Sequence, residues 1–593
     1  MRNTTYTGPS MPISEEIDQM KYRLQDETFD GKIKRIAKAL CDGIEHQYNL
    51  EDILGNMRFL PAGRVQNAMG SPRITTAYNC FVSGHIEDSM NSIMQRACDA
   101  AETMRRGGGI GYDFSRIRPR GDLIKSLDSK SSGPVSFMGI FDAVCQTIAS
   151  SGHRRGAQMG VLRVDHPDIL DFIRAKRNSD KLTGFNISVG ITDAFMECLE
   201  DPYKSFDLVF EGTVYKTLSH EEAHDLWEEI MESTWDWAEP GVLFIDKINN
   251  NNNLWYCETI EATNPCGEQP LPPYGACLLG SFNLTKYVKT GLQFSEQGPD
   301  DEVMFDMTQF KTDIKEIVRA MDNVIDRTIY PLKEQEDEAK NKRRMGLGIT
   351  GLANAGEMLG HEYASDDFLT WMATIFRTLR DETYRASAEL AKEKGTFPLY
   401  NEEYLKGNFY NTLSEDVKQL IKENGIRNSH LTSIAPTGTI SLCADNVSGG
   451  IEPVFSHYYD RTIQTFEGPK VERVEDYAYS KGIKGKTANE TTVQEHLKVL
   501  LLAQEYIDSA CSKTCNVGDD VTYDEFKQVY VDAWKGGAKG CTTFRLSGKR
   551  YGIFNETVEE EKAIPSEATE MVEEEGTVQA CFFDPITGQK ECA

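Results

Sequence analysis

Apolar residues recur every three or four positions through the first part of the chain, a spacing typical of amphipathic helices. The pattern covers residues 15–24, 31–48 and 50–58. It breaks at Pro61, because proline lacks the backbone N–H that a helix interior needs. We therefore predict a helical N-terminal region over residues 1–58, and we expect it to be too short for a separate regulatory module.

Beyond residue 75 the pattern changes to short strand-like runs separated by longer helical stretches. Strands are predicted at residues 77–82, 160–164, 185–189 and 431–435. The 3.6-residue period predicts helices at residues 88–105, 137–148, 220–237, 310–329 and 367–392. Strands separated by helices indicate an α/β protein with one large core.

Composition and charge narrow the function classes. The 593 residues are 39% hydrophobic and 10% aromatic, enough for a large core, and the mean hydropathy is −0.47. The sequence contains no long apolar run and no apolar N-terminal segment, so we expect a cytoplasmic protein without a membrane span or secretory signal. The net charge of −29 argues against general nucleic-acid binding, but a local basic pocket can still hold a nucleotide.

The segment Asn264-Pro265-Cys266-Gly267-Glu268 combines an amide, a thiol and a carboxyl group, and a second thiol follows at Cys277. Proline fixes φ and glycine permits positive φ, so we predict a tight loop that aims these side chains at one small substrate. The carboxyl group suits acid–base catalysis, and the amide suits orientation of a hydroxyl group. The thiol suits a nucleophile, a metal ligand, a redox partner or a hydrogen-atom abstractor. A surface turn with an inert cysteine is the alternative.

Three further segments are candidates for ligand binding. Residues 107–111 contain four glycines, which let a ligand approach the backbone, although a helix cap and turn is the simpler alternative. Residues 150–157 include Arg154, whose guanidinium group suits a base or a phosphate. Residues 436–441 follow a predicted strand, and their hydroxyl groups and the amides of a following helix predict a phosphate site. A helix cap without a ligand is the alternative there.

Gly346-Leu347-Gly348-Ile349-Thr350-Gly351 matches the glycine pattern of dinucleotide-binding proteins. The required apolar strand before the first glycine is missing, because residues 336–344 are charged and helical in pattern. We therefore predict that this segment does not bind a dinucleotide. The sequence also lacks the glycine-lysine pattern of P-loop ATPases.

The 14 cysteines are scattered, and in a reducing compartment we expect thiols except where the chemistry uses them. Residues 556–576 are rich in glutamate and poor in apolar residues, which predicts a disordered linker. Cys581 and Cys592 follow, and a mobile tail with two thiols can enter a buried site and return to a reductase. The alternative is that they form a zinc site with Cys511, Cys515 or Cys541, although these cysteines lack a recognisable spacing of zinc ligands.

Asn264-x-Cys266-x-Glu268 with Cys277 resembles the active-site finger loop of ribonucleotide reductases, and the run from Asn264 to Leu271 resembles the adenosylcobalamin-dependent (class II) branch. Other segments resemble the family in the same order along the chain: Asn79-Cys80 and residues 107–111, 116–118, 152–159, 163–168, 186–188, 436–441, 511–515 and 537–545. The resemblance divides the chain into the helical region 1–58, a catalytic barrel at 59–551, and a flexible acidic linker with a redox-cysteine tail at 552–593.

The resemblance implies a ten-stranded α/β barrel of two half-barrels, with Cys266 at the tip of a loop through its centre. With adenosylcobalamin as cofactor, a thiyl radical on Cys266 would abstract the 3′ hydrogen of a ribonucleotide. Glu268 would take the 3′-hydroxyl proton, and Asn264 would hold the hydroxyl groups. Cys80 and Cys277 would end as a disulfide when the 2′-hydroxyl group leaves as water. These two distant cysteines must then meet in space.

The resemblance also implies binding sites and partners. Asp88 and Arg118 would hold a deoxynucleotide effector at a homodimer interface, and Arg154 would relay its identity to the substrate base. Cys581 and Cys592 would carry electrons from a thioredoxin-like or glutaredoxin-like reductant, although family tails often space these cysteines more closely. Substrate contacts, including the phosphate loop, would come from Asn79, Gly109, Pro436, Thr437, Gly438, Thr439, Ile440 and Ser441.

Two alternatives stay open at this point. One is the catalytic subunit of a class I reductase, which receives its radical from a partner protein. The other is a nucleotide-binding regulator that keeps the fold without turnover, although the intact set of cysteines, Asn264 and Glu268 argues against it. Because most members of the family reduce diphosphates, we expect a diphosphate rather than a triphosphate substrate. Because the extra N-terminal domain of many relatives has no counterpart, we expect no overall on/off control by ATP and dATP.

Overall fold

The computed structural model describes residues 6–125, 127–150, 154–155, 157–177, 181–295, 298–465, 468–545, 581–583 and 590–592. Within these residues the helices α1 to α19 are Pro12–Tyr22, Phe29–Leu40, Ile44–Gly55, Gly63–Ala68, Met90–Arg105, Pro134–Thr147, Ile169–Arg174, Asp193–Glu200, His220–Trp237, Ile245–Asn250, Met307–Arg327, Lys333–Lys342, Leu352–Met358, Asp366–Lys394, Asn408–Thr412, Glu415–Asn424, Gly438–Cys443, Val493–Tyr506 and Tyr523–Lys535. None of these helices combines the length and apolar character needed to cross a membrane.

The strands of the same residues are short. In chain order, β1 to β25 are Phe59–Pro61, Cys80–Val82, Gly109–Asp113, Leu123–Ile124, Ser129–Lys130, Ala149–Ser150, Arg154–Arg155, Gln158–Arg163, Phe185–Ile191, Phe206–Phe210, Thr213–Leu218, Gly241–Phe244, Ala262–Thr263, Pro270–Leu271, Ala276–Cys277, Leu279–Asn283, Val288–Ser295, Gly298–Phe305, Gly346–Thr350, Tyr458–Thr465, Gly468–Glu475, Thr514–Asn516, Gly540–Phe544, Cys581–Phe583 and Lys590–Cys592.

The N-terminal region is helical, as the apolar spacing predicted, but its helix boundaries differ. The stretch predicted at residues 31–48 is interrupted between α2, which ends at Leu40, and α3, which begins at Ile44. In the break, the N–H of Asp42 donates to Nδ1 of His46 (3.1 Å). A side chain of the first turn of α3 thus replaces the partner that a continuous helix would have given to this amide.

An eight-stranded sheet forms much of the first half of the chain, in the order β15-β2-β3-β8-β9-β12-β23-β22. Strands β2, β3, β8, β9 and β12 run parallel to their neighbours in this series. Helices connect them, as parallel strands require. β15 and β23 pair antiparallel with β2 and β12. The α/β prediction is confirmed.

A second sheet has three strands in the order β1-β16-β19. Single parallel bridges, from Leu347 to Thr432 and from Ile434 to Cys511, extend it towards the region of β22. The strand predicted at residues 431–435 therefore appears only as isolated bridges, because it pairs with each neighbour at one position. The described strands do not join into one closed sheet, so the ring of ten strands stays a prediction.

β13 and β14 form a short antiparallel hairpin, and its tip is residues 264–269. Glycines of both sheets make room for it. A Cβ on Gly111 of β3 would lie 1.9 Å from the carbonyl oxygen of Thr263, and one on Gly346 of β19 would lie 2.4 Å from Nε2 of Gln269. Glycine inside a strand is typical of such close approaches. The hairpin therefore lies between the two sheets.

Gly346 and Gly348 lie inside the buried strand β19 and not in a strand-to-helix turn. The preceding element is the charged helix α12, as its composition predicted. A Cβ on Gly348 would lie 2.3 Å from the carbonyl oxygen of Ser433. These glycines serve backbone packing, in agreement with the prediction that residues 346–351 are not a dinucleotide loop.

Two short strands, β24 and β25, represent the tail. They pair antiparallel, with Cys581 directly opposite Cys592. The linker predicted at residues 556–576 lies outside the described residues. Strand pairing therefore brings together two backbone positions that are well separated in sequence.

Candidate active site

The tip of the hairpin is shaped by its own polar groups. The N–H of Gly267 donates to the carbonyl oxygen of Asn264 (3.0 Å), and the N–H of Gln269 donates to Oδ1 of the Asn264 side chain (2.9 Å). Gly267 has φ +80°, a conformation that glycine adopts without the strain that a Cβ would add. The tip is the tight loop that the sequence predicted, with Cys266 at its centre.

Residues from outside the hairpin hold its tip in place through hydrogen bonds. Nδ2 of Asn186, in β9, donates to the carbonyl oxygen of Pro265 (3.2 Å). From the other side, Oγ of Ser433 and the N–H of Ala510 donate to the carbonyl oxygen of Glu268 (2.9 and 3.0 Å). Two backbone carbonyl groups of the tip are thus fixed from opposite directions, which limits the movement of the side chains between them.

The reactive side chains of the tip are buried. Asn264, Cys266 and Glu268 have exposed fractions of 0%, 8% and 2%. Among the described residues, Nδ2 of Asn264 and both terminal side-chain atoms of Gln269 find no hydrogen-bond partner. An unpaired buried polar group costs about 1–3 kcal/mol, so these atoms fit a ligand that supplies the missing partners. Cys266 is disulfide-bonded in this structure, so chemistry at its sulfur requires the reduced form.

Two other thiols meet beside the hairpin. Cys80 of β2 and Cys277 of β15 lie directly opposite each other in the strand pair, and their thiols are close enough to affect each other's ionisation. Burial raises the pKa of the Cys277 thiol well above its ordinary value, and the adjacent Cys80 thiol raises it further. The expectation that these distant cysteines meet in space is confirmed. Two adjacent thiols can be oxidised together to a disulfide.

Asn79 and Gly109 connect this thiol pair to the hairpin tip. The N–H of Gly109 donates to the carbonyl oxygen of Asn79 (2.9 Å), whose own N–H donates to the carbonyl oxygen of Cys277 (3.3 Å). A Cβ on Gly109 would lie 3.1 Å from Sγ of Cys80 and 3.3 Å from the ring of Pro265. Oδ1 of Asn79 is buried and has no hydrogen-bond partner in the part of the chain that the structure describes.

The predicted phosphate loop begins helix α17, and Thr437 before it has φ +58°. The hydroxyl groups of Thr437 and Thr350 are hydrogen-bonded to each other (2.9 Å). Oγ of Ser441 donates to the carbonyl oxygen of the first helical residue (3.0 Å). Two of the three predicted hydroxyl groups therefore hold the loop's own shape, which leaves Thr439 and the backbone amides for an anion. The half-buried positions of the loop are Pro436, Gly438 and Thr439.

Two of the three predicted effector residues contact each other. Nε of Arg118 donates to Oδ2 of Asp88 (2.5 Å), and the N–H of Arg118 donates to Oδ1 of the same carboxylate (3.2 Å). Arg154 pairs with Ser150 in the small hairpin of β6 and β7, and its side chain lies outside the described residues. The structure therefore joins Asp88 to Arg118.

Sequence reasoning missed several residues around the tip. The sequence patterns assigned no individual role to Asn186, Ser433 and Gln269, but the alternating glycines of β3 and β19 were a usable signal of close backbone approach. Glu261, directly before the hairpin, forms ion pairs with Arg116 (3.2 Å) and His85 (3.3 Å). Burial alone would raise the pKa of Glu261, but these two neighbours lower it overall.

The cysteines of the zinc alternative, Cys511, Cys515 and Cys541, are distant in sequence from Cys80 and Cys277. Cys515 and Cys541, in β22 and β23, interact with each other: the Cys541 thiol lowers the pKa of Cys515, and the Cys515 thiol raises the pKa of Cys541. Within the described ranges, no group of three or more His, Cys, Asp or Glu side chains is arranged to hold a metal ion. The side chains of Cys581 and Cys592 lie outside that description.

Comparison with known proteins gives consistent results. A family model described as "Ribonucleotide reductase, barrel domain" matches residues 78–544. The "Vitamin B12-dependent ribonucleoside-diphosphate reductase" of Thermoplasma acidophilum is 33% identical, covering 96% of this chain and 75% of the relative. A protein of the same name from Mycobacterium tuberculosis (strain CDC 1551 / Oshkosh) is 34% identical over 84% of this chain and 72% of the relative. The "Vitamin B12-dependent ribonucleotide reductase" of Streptomyces coelicolor is 27% identical over 87% and 62%.

Proposed function

Because this chain belongs to the ribonucleotide reductase family, we propose that it reduces ribonucleoside diphosphates to 2′-deoxyribonucleotides with adenosylcobalamin as cofactor. The observation that carries this proposal is the buried hairpin tip, with its thiol, amide and carboxyl group, next to the adjacent thiols Cys80 and Cys277. The names of the relatives support the cobalamin cofactor and the diphosphate substrate. The product would supply DNA synthesis.

The hairpin tip positions the groups that act on the ribose. Once reduced to a thiol, Cys266 would lose its hydrogen atom to the radical source, and the resulting thiyl radical would remove the 3′ hydrogen atom of the ribose and return it at the end of the cycle. Glu268 accepts the proton of the 3′-hydroxyl group, and Nδ2 of Asn264, which lacks a partner among the described residues, donates to the ribose hydroxyl groups. The bonds from Asn186 and Ser433 keep these groups in register with the sugar.

The pair Cys80 and Cys277 supplies the two electrons. Each thiol gives one proton and one electron as the disulfide forms, and the 2′-hydroxyl group leaves as water. The ribonucleotide is reduced by two electrons, so the dithiol and the substrate balance. The raised pKa of Cys277 favours a protonated thiol that can deliver a proton to the leaving hydroxyl group.

When bound, adenosylcobalamin supplies the radical through homolysis of its carbon–cobalt bond. The thiol that must receive this radical fits that chemistry, because Cys266 is buried at a fixed tip but keeps an exposed fraction of 8%. The surrounding core therefore largely excludes water from its sulfur.

The remaining binding roles follow the family resemblance. Asn79 and Gly109 contact the substrate, supported by their position between the thiol pair and the hairpin tip. The phosphate loop holds the diphosphate through backbone amides and Thr439. Asp88 and Arg118 bind a deoxynucleotide effector at a homodimer interface. Their mutual ion pair supports a shared role, and the loop with Arg154 relays effector identity.

The tail serves as the electron shuttle. Cys581 and Cys592 reduce the internal disulfide and are themselves reduced by a thioredoxin-like or glutaredoxin-like protein. Their opposite positions in a strand pair support this role. A cytoplasmic location agrees with the need for such reductants. We expect the two sheets beside the hairpin to belong to the ten-stranded barrel of the family.

The test is reduction of CDP by the purified chain alone, with dithiothreitol, with and without adenosylcobalamin. We expect deoxycytidine diphosphate only when the cofactor is present, without a second protein. Turnover without cobalamin would refute the radical source. Activity that appears only after a radical-generating partner is added would favour a class I enzyme. CDP binding without turnover under every condition would favour a non-catalytic regulator.

A further inference from the structure

Glu261 lies at the root of the catalytic hairpin and has no role in the reaction described above. It directly precedes β13 and comes three residues before Asn264. Its carboxylate forms ion pairs with Arg116 (3.2 Å) and with His85 (3.3 Å). Arg116 follows the strand β3, and His85 follows the parallel neighbour β2. One carboxylate therefore connects the hairpin to the carboxyl ends of two strands of the large sheet.

The charge of Glu261 is set by these neighbours. Burial raises the pKa of Glu261, but the hydrogen bond from His85 and the charge of Arg116 lower it overall. The carboxyl group of Asp113, at the end of β3, is close enough to respond: burial first, and the charge of Glu261 second, raise the pKa of Asp113 to about 6. Two acidic groups therefore share this site, and the cation of Arg116 holds Glu261 in place between them.

Arg116 also belongs to the segment that carries the predicted effector pair. Nη1 of Arg116 lies 3.6 Å from Oε1 of Glu87, and Nε of Arg118 donates to Oδ2 of Asp88 (2.5 Å). Two consecutive acids are thus paired with two arginines that are two residues apart. Ile117, between the arginines, is fully buried. This short and well-packed segment therefore joins the effector pair to the ion pair at the root of the hairpin.

We propose that Glu261 is a positioning residue, through which a deoxynucleotide bound at Asp88 and Arg118 adjusts the hairpin tip. This inference rests on the proposed function. A phosphate group that binds the guanidinium group of Arg118 competes with Asp88, because both anions accept bonds from the same donors. Arg116 then shifts with Arg118, and Glu261 shifts with Arg116.

The short hairpin can transmit such a shift to the catalytic groups. β13 places only two residues, both buried, between Glu261 and Asn264. The carbonyl oxygen of the second, Thr263, lies against Gly111 of β3, where a Cβ would be only 1.9 Å away. A displacement of reacting groups by about 1 Å can change turnover by about 100-fold, so a small movement at Glu261 is sufficient.

The experiment measures CDP reduction by the full chain with adenosylcobalamin and dithiothreitol, alone and with dATP, dGTP, dCTP or dTTP. It compares the wild type with Glu261→Gln, Arg116→Gln and the double variant. Allosteric coupling typically amounts to roughly 5- to 150-fold. We expect the stimulation of kcat by the most effective dNTP to fall to within about 2-fold of no effect in each variant. The double variant should lose no more than the single variants, because all of them lack the same ion pair.

Two further measurements separate loss of coupling from damage to the effector site. Equilibrium binding of the same dNTP should stay within about 3-fold of the wild type in every variant. In the chain without cobalamin, this dNTP should change amide hydrogen exchange across residues 262–271 of the wild type but not of the variants. Glu229→Gln is the matched control and should keep the full response. Glu229 pairs with Arg174 (2.5 Å) and Arg177 (2.8 Å), and its side chain is 25% exposed, against 21% for Glu261.

An undiminished dNTP response in both single variants would overturn the inference and leave the proposed function intact. Partial losses that add up in the double variant would also overturn it, since the two residues would then act separately. The same holds for a loss of dNTP affinity parallel to the lost response, and for a wild type that reduces CDP but responds to no dNTP in turnover or in hydrogen exchange. If one single variant does not fold, the other decides, because each removes the same ion pair. No CDP reduction by the wild type under any condition would refute the proposed function itself.

Discussion

Gly111→Ala tests whether close packing of the hairpin against β3 sets the catalytic geometry. The new methyl group would lie 1.9 Å from the carbonyl oxygen of Thr263, directly before the hairpin tip. Carbon–oxygen contacts need more than 3 Å, so the hairpin must move by about 1 Å or more, and displacement of this size can reduce turnover by about 100-fold. Overpacking of this kind also destabilises a core by roughly 1–3 kcal/mol.

The assay compares kcat for CDP reduction and the thermal midpoint of the wild type and the variant. Gly190→Ala is the matched control, because Gly190 lies in β9 of the same sheet and a Cβ there meets its nearest atoms at 3.7 Å. We expect the control to retain activity within about 2-fold. Full activity of Gly111→Ala, with an unchanged thermal midpoint, would show that the hairpin is not held by this contact.

Three further predictions concern other residues. Cys266→Ala should abolish turnover but retain nucleotide affinity in equilibrium binding; comparable activity in this variant would refute the radical role. Cys277→Ser should lose multiple turnover with dithiothreitol, and sustained turnover would refute the redox pair. Burial lowers the pKa of Lys539 to about 8, so the unfolded chain binds more protons between pH 8 and 10.5. Relative to Lys539→Gln, the wild type should therefore gain roughly 3 kcal/mol of unfolding free energy across that window in urea titrations, and a flat difference would contradict the shift.

Much of the site was predictable because it is local in sequence. The proline and glycine around Cys266 predict a tight loop without reference to any other part of the chain, and the loop is formed by hydrogen bonds within residues 264–269. Long helices such as α9 and α14 were predicted to within two residues, since an apolar face of many turns dominates the pattern.

Features that depend on tertiary packing were less accessible. The pairing of Cys80 with Cys277 depends on the register of β2 and β15, which only the family resemblance suggested. The Thr437 hydroxyl group was expected to face a phosphate, but its partner Thr350 comes from a distant strand. The break between α2 and α3 depends on one side-chain contact of His46. The spacing of apolar residues carries no information about such a single contact.

The position of the thiol pair links catalysis to the stability of the folded chain. A disulfide between Cys80 and Cys277 would close a loop of about 200 residues, which in the chain-entropy model removes freedom from the unfolded chain worth about 5 kcal/mol. Each turnover would then leave the folded enzyme stabilised by a disulfide cross-link, and each reduction of the disulfide would remove this cross-link. The oxidised enzyme, which has completed a turnover, should therefore resist proteolysis better than the reduced enzyme.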